Sequence, residues 1–299
     1  MGLAGGETLR IDPGQVVSQV AAPTIDHLAY GAVLIEAVPD PLRDAARDPR
    51  GAIGVVYALL LSTDPEERAR QLSLLATRPD SLCHQEVPDL GRWVAGLDTG
   101  LRLPLLDLAV PALRALNASQ RQALLEDVRQ LVASDRLVSV FEFALMKVLT
   151  VRLAPAAEHA RRQTIQYRAI TGVLPQCRVL LSALARAGAR DSASVRRAFE
   201  AGWRKLGGPP VPVADGDGDR GGTGLLTGAA SGLNALDQAL DKLARAAPIV
   251  KERVLDACAR CVLADGSVTV KEAELLRAVA DVLGCPLPPF LPQVAGSAS

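Results

Sequence analysis

Apolar residues recur along this chain at spacings of three and four, and most runs open on a capping residue or a proline. No stretch alternates convincingly in the two-residue rhythm of a strand. Thr24 stands before a run carrying Leu28, Val33, Leu34 and Val38. Asp40-Pro41 offers an acidic N-cap with proline at the first helical position, and Asp48-Pro49 ends that short helix. Ala52 to Leu61 follows as a helix apolar on most sides. Asp64-Pro65-Glu66-Glu67 opens the next, its acids well placed on the first-turn dipole. Residues 101–116 predict another apolar helix with Pro111 as a kink or break. After a gap the pattern resumes with Leu233, Leu236, Leu240 and Leu243. Regular helix starts and short connections predict an all-α chain, a helical array.

Part of the pattern occurs twice. Residues 121–149 and 251–279 align at a spacing of 130. Leu125, Val132, Asp135, Val138, Val140, Glu142 and Leu145 fall on Leu255, Val262, Asp265, Val268, Val270, Glu272 and Leu275. Each copy reads as a helical hairpin whose second helix starts at a capping box, Ser139-x-x-Glu142 or Thr269-x-x-Glu272. Ser119-x-x-Gln122 predicts a third box at the start of the first hairpin. The valines at 138/140 and 268/270 would pin the turns in the manner of a hydrophobic staple.

The organisation expected is a tail at 1–22, a helical domain at 23–206 holding the first hairpin, a Gly/Pro-rich linker at 207–230, a second helical segment at 231–290, and a tail at 291–299. Hydrophobic residues make up 49% of the chain, enough for a sizeable core, and aromatics only 3%, so that core must be aliphatic. Net charge is zero, which provides no overall pull toward nucleic acid or membrane. The five cysteines are odd in number and scattered, unlike a disulfide framework, which favours a reducing compartment. The longest apolar run reaches about half of the roughly 20 residues that a spanning helix needs.

Candidate chemistry is sparse. His27, His84 and His159 lie far apart and none begins the H-E-x-x-H of a zinc peptidase. Cys258-x-x-Cys261 has redox or half-zinc spacing, but its residues align with Val128 and Leu131, so they read as core positions. Gly216 to Gly221 matches G-x-G-x-x-G without the flanking strand and helix, among Asp215, Asp217 and Asp219, which would repel a phosphate. The same aspartates fail as a calcium loop, with Arg220 and Leu226 where glycine and glutamate belong. Asp265 and Glu272 could hold a divalent cation, against the plainer roles of ordering the turn and closing the box. The basic stretch 158–206 reads as a solvated face or an anionic-membrane contact, and nucleic-acid binding is not expected, since Tyr167, Phe199 and Trp203 are too scattered to stack bases. No residue is assigned as catalytic, cofactor-binding or metal-ligating.

The second copy, CVLADGSVTVKEAELLRAVADVLGCPLPP, resembles the TerB-like helical module of tellurite-resistance proteins through Ala264-Asp265-Gly266, Val268, Glu272, Leu275 and Leu276. The chain as a whole resembles the C-terminal extension of bacterial HtpX-like membrane zinc metallopeptidases. That likeness rests on residues 29–61, 103–122, 141–149 and the final repeat. In such proteins the membrane helices and the H-E-x-x-H helix lie upstream, so the resemblance carries over no catalytic residue. It implies a detached extension or a stand-alone descendant: a non-catalytic interaction domain, cytoplasmic, either free or at the inner face of the membrane. The partner would be a membrane metallopeptidase or its catalytic portion. The alternative is a stand-alone TerB-like stress module binding a divalent ion or an anionic membrane surface.

Overall fold

A computed structural model describes residues 8–9, 25–77, 85–134, 139–155, 164–188, 191–208, 224–226, 232–266 and 268–285. The protein is all-α, with thirteen α-helices and two two-residue strands among the described residues. The chain divides into two compact units, residues 28–155 and residues 1–27 with 156–299. Residues 156–206, assigned from sequence to the first hairpin's domain, therefore group with the second hairpin.

The continuous unit holds α1 (Ile25–Glu36, which enters it from the preceding residues), α2 (Asp40–Arg47), α3 (Pro49–Leu60), α4 (Pro65–Ala76), α5 (Val87–Ala95), α6 (Arg102–Arg114), α7 (Ala118–Ser134) and α8 (Val140–Arg152). The apolar helix α3 is its centre, touching α2, α5, α6 and α7. Asp48 starts α3 by accepting from the amides of Arg50 and Gly51 at 3.0 and 2.9 Å. No space for a Cβ exists at Gly51, because the Ala45 backbone of α2 fills it. Tyr57 donates its hydroxyl proton to Asp127 of α7 at 2.7 Å, a buried link between helices 70 residues apart in sequence.

Several starts differ from the sequence reading. Asp40 is not the cap of α2 but its first residue, with Pro39 as N-cap, and Asp40 pairs with Arg43. The box that opens α7 is Asn117/Gln120, not Ser119/Gln122. The Gln120 amide donates to Asn117 Oδ1 at 2.9 Å, and the Asn117 amide donates to Gln120 Oε1 at 3.0 Å. Asparagine caps as well as serine. Pro111 lies inside a continuous α6, on its exposed side and three residues from the end. Thr24 and the turn residues 135–138 lie outside the described residues.

The discontinuous unit holds β1 (Thr8–Leu9), α9 (Leu174–Gly188), α10 (Ser192–Lys205), α11 (Leu233–Leu243), α12 (Pro248–Val262), β2 (Val268–Thr269) and α13 (Val270–Leu283). The central helix here is α9, touching α10, α11, α12 and α13. β1 pairs antiparallel with β2, Thr8 opposite Thr269 and Leu9 opposite Val268.

The two units repeat one another beyond the hairpin. α6, α7 and α8 have counterparts α11, α12 and α13 at the same spacing of 130, with Val140 and Val270 starting the last pair. Leu106, Ala109, Val110 and Leu113 are buried where Leu236, Ala239, Leu240 and Leu243 are buried. Further upstream, α3 and α9 each precede an aspartate-capped helix, α4 behind Asp64 and α10 behind Asp191, 127 residues apart. Equivalent helices touch in both units: α3 with α6 and α7, α9 with α11 and α12; α4 with α7, α10 with α12; α6 and α7 with α8, α11 and α12 with α13.

Candidate functional site

Among the described residues, polar side chains gather in a recess at the second hairpin's turn. The capping box of α13 begins it. The Thr269 amide and hydroxyl both donate to Glu272 Oε2 at 2.8 Å, and the Glu272 amide donates to Thr269 Oγ1 at 3.3 Å. The first hairpin has the same box: the Ser139 amide donates to Glu142 Oε2 at 2.7 Å, and the Glu142 amide to Ser139 Oγ at 3.2 Å. The surroundings differ. Ser139 is exposed, whereas Glu272 retains only 7% of its surface.

That burial comes from α9. Its last residue, Gly188, abuts the Glu272 carboxylate so closely that a Cβ would fall on the carboxylate atoms. Burial pushes the Glu272 carboxyl above its ordinary value, and Asp265 adds repulsion, while the Thr269 hydrogen bonds pull it down. Ser194 and Arg197 of α10 and Cys261 of α12 join Asp265 and Glu272 around a shallow recess that opens to solvent.

The structure thus brings Asp265 and Glu272, the cation candidates, to one recess, but adds a guanidinium to it. Glu272 Oε2 is already an acceptor for Thr269, and calcium takes six to eight oxygens. Among the described residues no cluster of three or more His, Cys, Asp or Glu is arranged to hold a metal.

Cys258 and Cys261 face inward from α12, fully buried, and Cys177 of α9 is buried near them. Burial raises all three thiols, Cys177 to about 12, so they remain protonated and behave as apolar packing. The side chain of His27, both other histidines and the 215–221 motif lie outside the described residues.

The basic stretch is not one solvated face. Lys205 pairs with Asp256 at 2.7 Å, and Arg178 and Arg186 bind the backbone of residues 224–226. Arg168, Arg197 and Arg204 are exposed. Sequence reasoning missed the role of Arg178 and Arg186, although with Ser182 they form a polar series one helical turn apart in an otherwise apolar helix. No helix among the described residues is long and apolar enough to cross a membrane. No protein-family model, curated protein or solved structure matches the chain.

Proposed function

We propose that this protein is a non-catalytic helical interaction module whose partner is a membrane zinc metallopeptidase, as its resemblance to the extension of such enzymes implies. The observation that carries the reading is where the chemically capable side chains are spent. The three buried thiols fill the core, and Thr269 and Glu272 close a cap. What the duplication keeps is a helical scaffold with its core positions. Affinity capture from native membranes with the whole chain as bait is the test. Recovery of a peptidase bearing H-E-x-x-H is expected, and repeated capture without any peptidase removes the reading.

A second reading, a TerB-like module that takes a divalent cation, is favoured by one observation: Asp265 and Glu272 line the same recess. Calcium or magnesium should then raise the melting temperature of the protein, and less so in Asp265→Asn. Identical melting with millimolar ion excludes it.

A further inference from the structure

Four large apolar side chains stand open to solvent among the described residues, and the two in the discontinuous unit share one seam. Residues 166–167 run alongside the short link between α11 and α12. The Gln166 amide donates to the Arg245 carbonyl at 2.8 Å, and the Ala247 amide donates to the Tyr167 carbonyl at 2.8 Å. Tyr167 and Ala246 form a parallel bridge between them. Ile165 comes just before this pairing on one segment and Ile249 just after it on the other, exposing 42% and 62% of their surface.

The seam is also cationic. Arg168 follows Tyr167 directly, Arg245 supplies the shared carbonyl, and Lys242 stands three residues before Arg245 on the same face of α11. All three are exposed, and among the described residues none pairs its side chain with an acid. Over 164–171 and 241–253, Arg168, Lys242, Arg245, Lys251 and Arg253 are set against Asp241 and Glu252 alone, in a chain of zero net charge. The apolar part is two separate side chains, too little for the buried centre of a stable protein interface of roughly 800 Å² per partner.

We propose that this seam docks on an anionic lipid bilayer. Ile165 and Ile249 enter the boundary between headgroups and acyl chains, where an aliphatic side chain leaves water without burying a polar group. Arg168, Lys242 and Arg245 stay at the level of the lipid phosphates, since their long stems let the charge remain in the wet layer. The mixture selects the partner. An acidic protein surface would match the cations alone, whereas a bilayer offers phosphate and hydrocarbon side by side. The inference goes beyond the interaction-module reading and needs no peptidase: protein-free vesicles test it, while capture from native membranes tests the other.

The experiment is co-sedimentation of the whole chain with vesicles of phosphatidylcholine, either pure or containing about one-third phosphatidylserine. Binding to the anionic vesicles should exceed binding to the neutral ones roughly tenfold and weaken as salt is added. Lys242→Gln/Arg245→Gln should lower it roughly tenfold. Ile165→Ser/Ile249→Ser should lower it several-fold with the helicity of the parent, because both positions are exposed. Equal sedimentation with neutral and anionic vesicles, or with neither, overturns the proposal. Undiminished binding of the isoleucine variant does so too, by placing the lipid contact elsewhere. Should either variant unfold, hydrogen exchange on the native chain decides: anionic vesicles should slow exchange at residues 164–168 and 245–250, and unchanged rates there overturn the docking face.

Discussion

Glu272 concentrates several opposing effects on one side chain. It sits at the N-terminus of α13, where the dipole and the Thr269 donors favour charge, and against the C-terminal residue of α9, where water is excluded. The net result is a carboxyl raised above its usual value, chiefly by burial. Such a group binds its proton more tightly in the folded chain than in the unfolded one. Its contribution favours the fold at acid pH and is lost as pH rises from the ordinary carboxyl value of 4.5 through the raised one. Glu272→Gln keeps an amide oxygen to accept from Thr269 and removes the charge. The variant should melt higher than the parent at pH 7.5, with the gap narrowing as pH falls through the raised value and closing below 4.5; a gap that widens toward acid refutes the assignment. The cap pair was legible in the sequence because it is local, a threonine and a glutamate three apart. Its burial was not, since Gly188 lies 84 positions away and a glycine carries no signal of what presses on it.

Among the elements, caps of similar chemistry should differ in worth. Replacing an N-cap serine or threonine by alanine costs about 1 kcal/mol on average. At Ser139, exposed to solvent, water can take over, and the cost of Ser139→Ala should stay near or below that figure. At Thr269 the change strips donors from the buried Glu272 carboxylate, so Thr269→Ala should cost about 2 kcal/mol. Urea melts of the two variants followed by circular dichroism compare them, and equal losses would contradict the difference in burial. Helix existence was largely readable from apolar spacing, and Asp64, Ser139 and Thr269 cap where the sequence placed them, whereas Asp48, read only as the end of α2, also caps α3. The misplacement at Asn117 shows the limit. Two polar residues within three positions, Asn117 and Ser119, each had a glutamine three further on, so the local pattern did not choose between them. The β1–β2 pairing had no readable signal, because it joins backbone groups about 260 residues apart.

For the whole molecule, the hairpin was recognisable as a repeat because its turn and cap residues must keep their chemical kind. The helices before it need only stay apolar, as Val110 and Leu240 do, and the register slips from 130 to 127 at Asp64 and Asp191. Position in the contact pattern revealed what identity had lost. A fragment of residues 28–155 contains every helix of its unit except the start of α1, and should give a cooperative melt by itself. Residues 156–299 lack Thr8 and Leu9, so that fragment should melt below the same unit in the whole chain. Addition of the first 27 residues through a short linker should restore the difference, and no restoration would mean that the strand pair contributes nothing.

The pairing of Thr8 and Leu9 with Val268 and Thr269 also orders events on the ribosome. The continuous unit leaves the exit tunnel complete and can close before its sibling has been made. Thr8 and Leu9 must wait, unmatched, until Val268 and Thr269 emerge. Translation speed through the final helices therefore governs how long that edge stays open to the wrong neighbour.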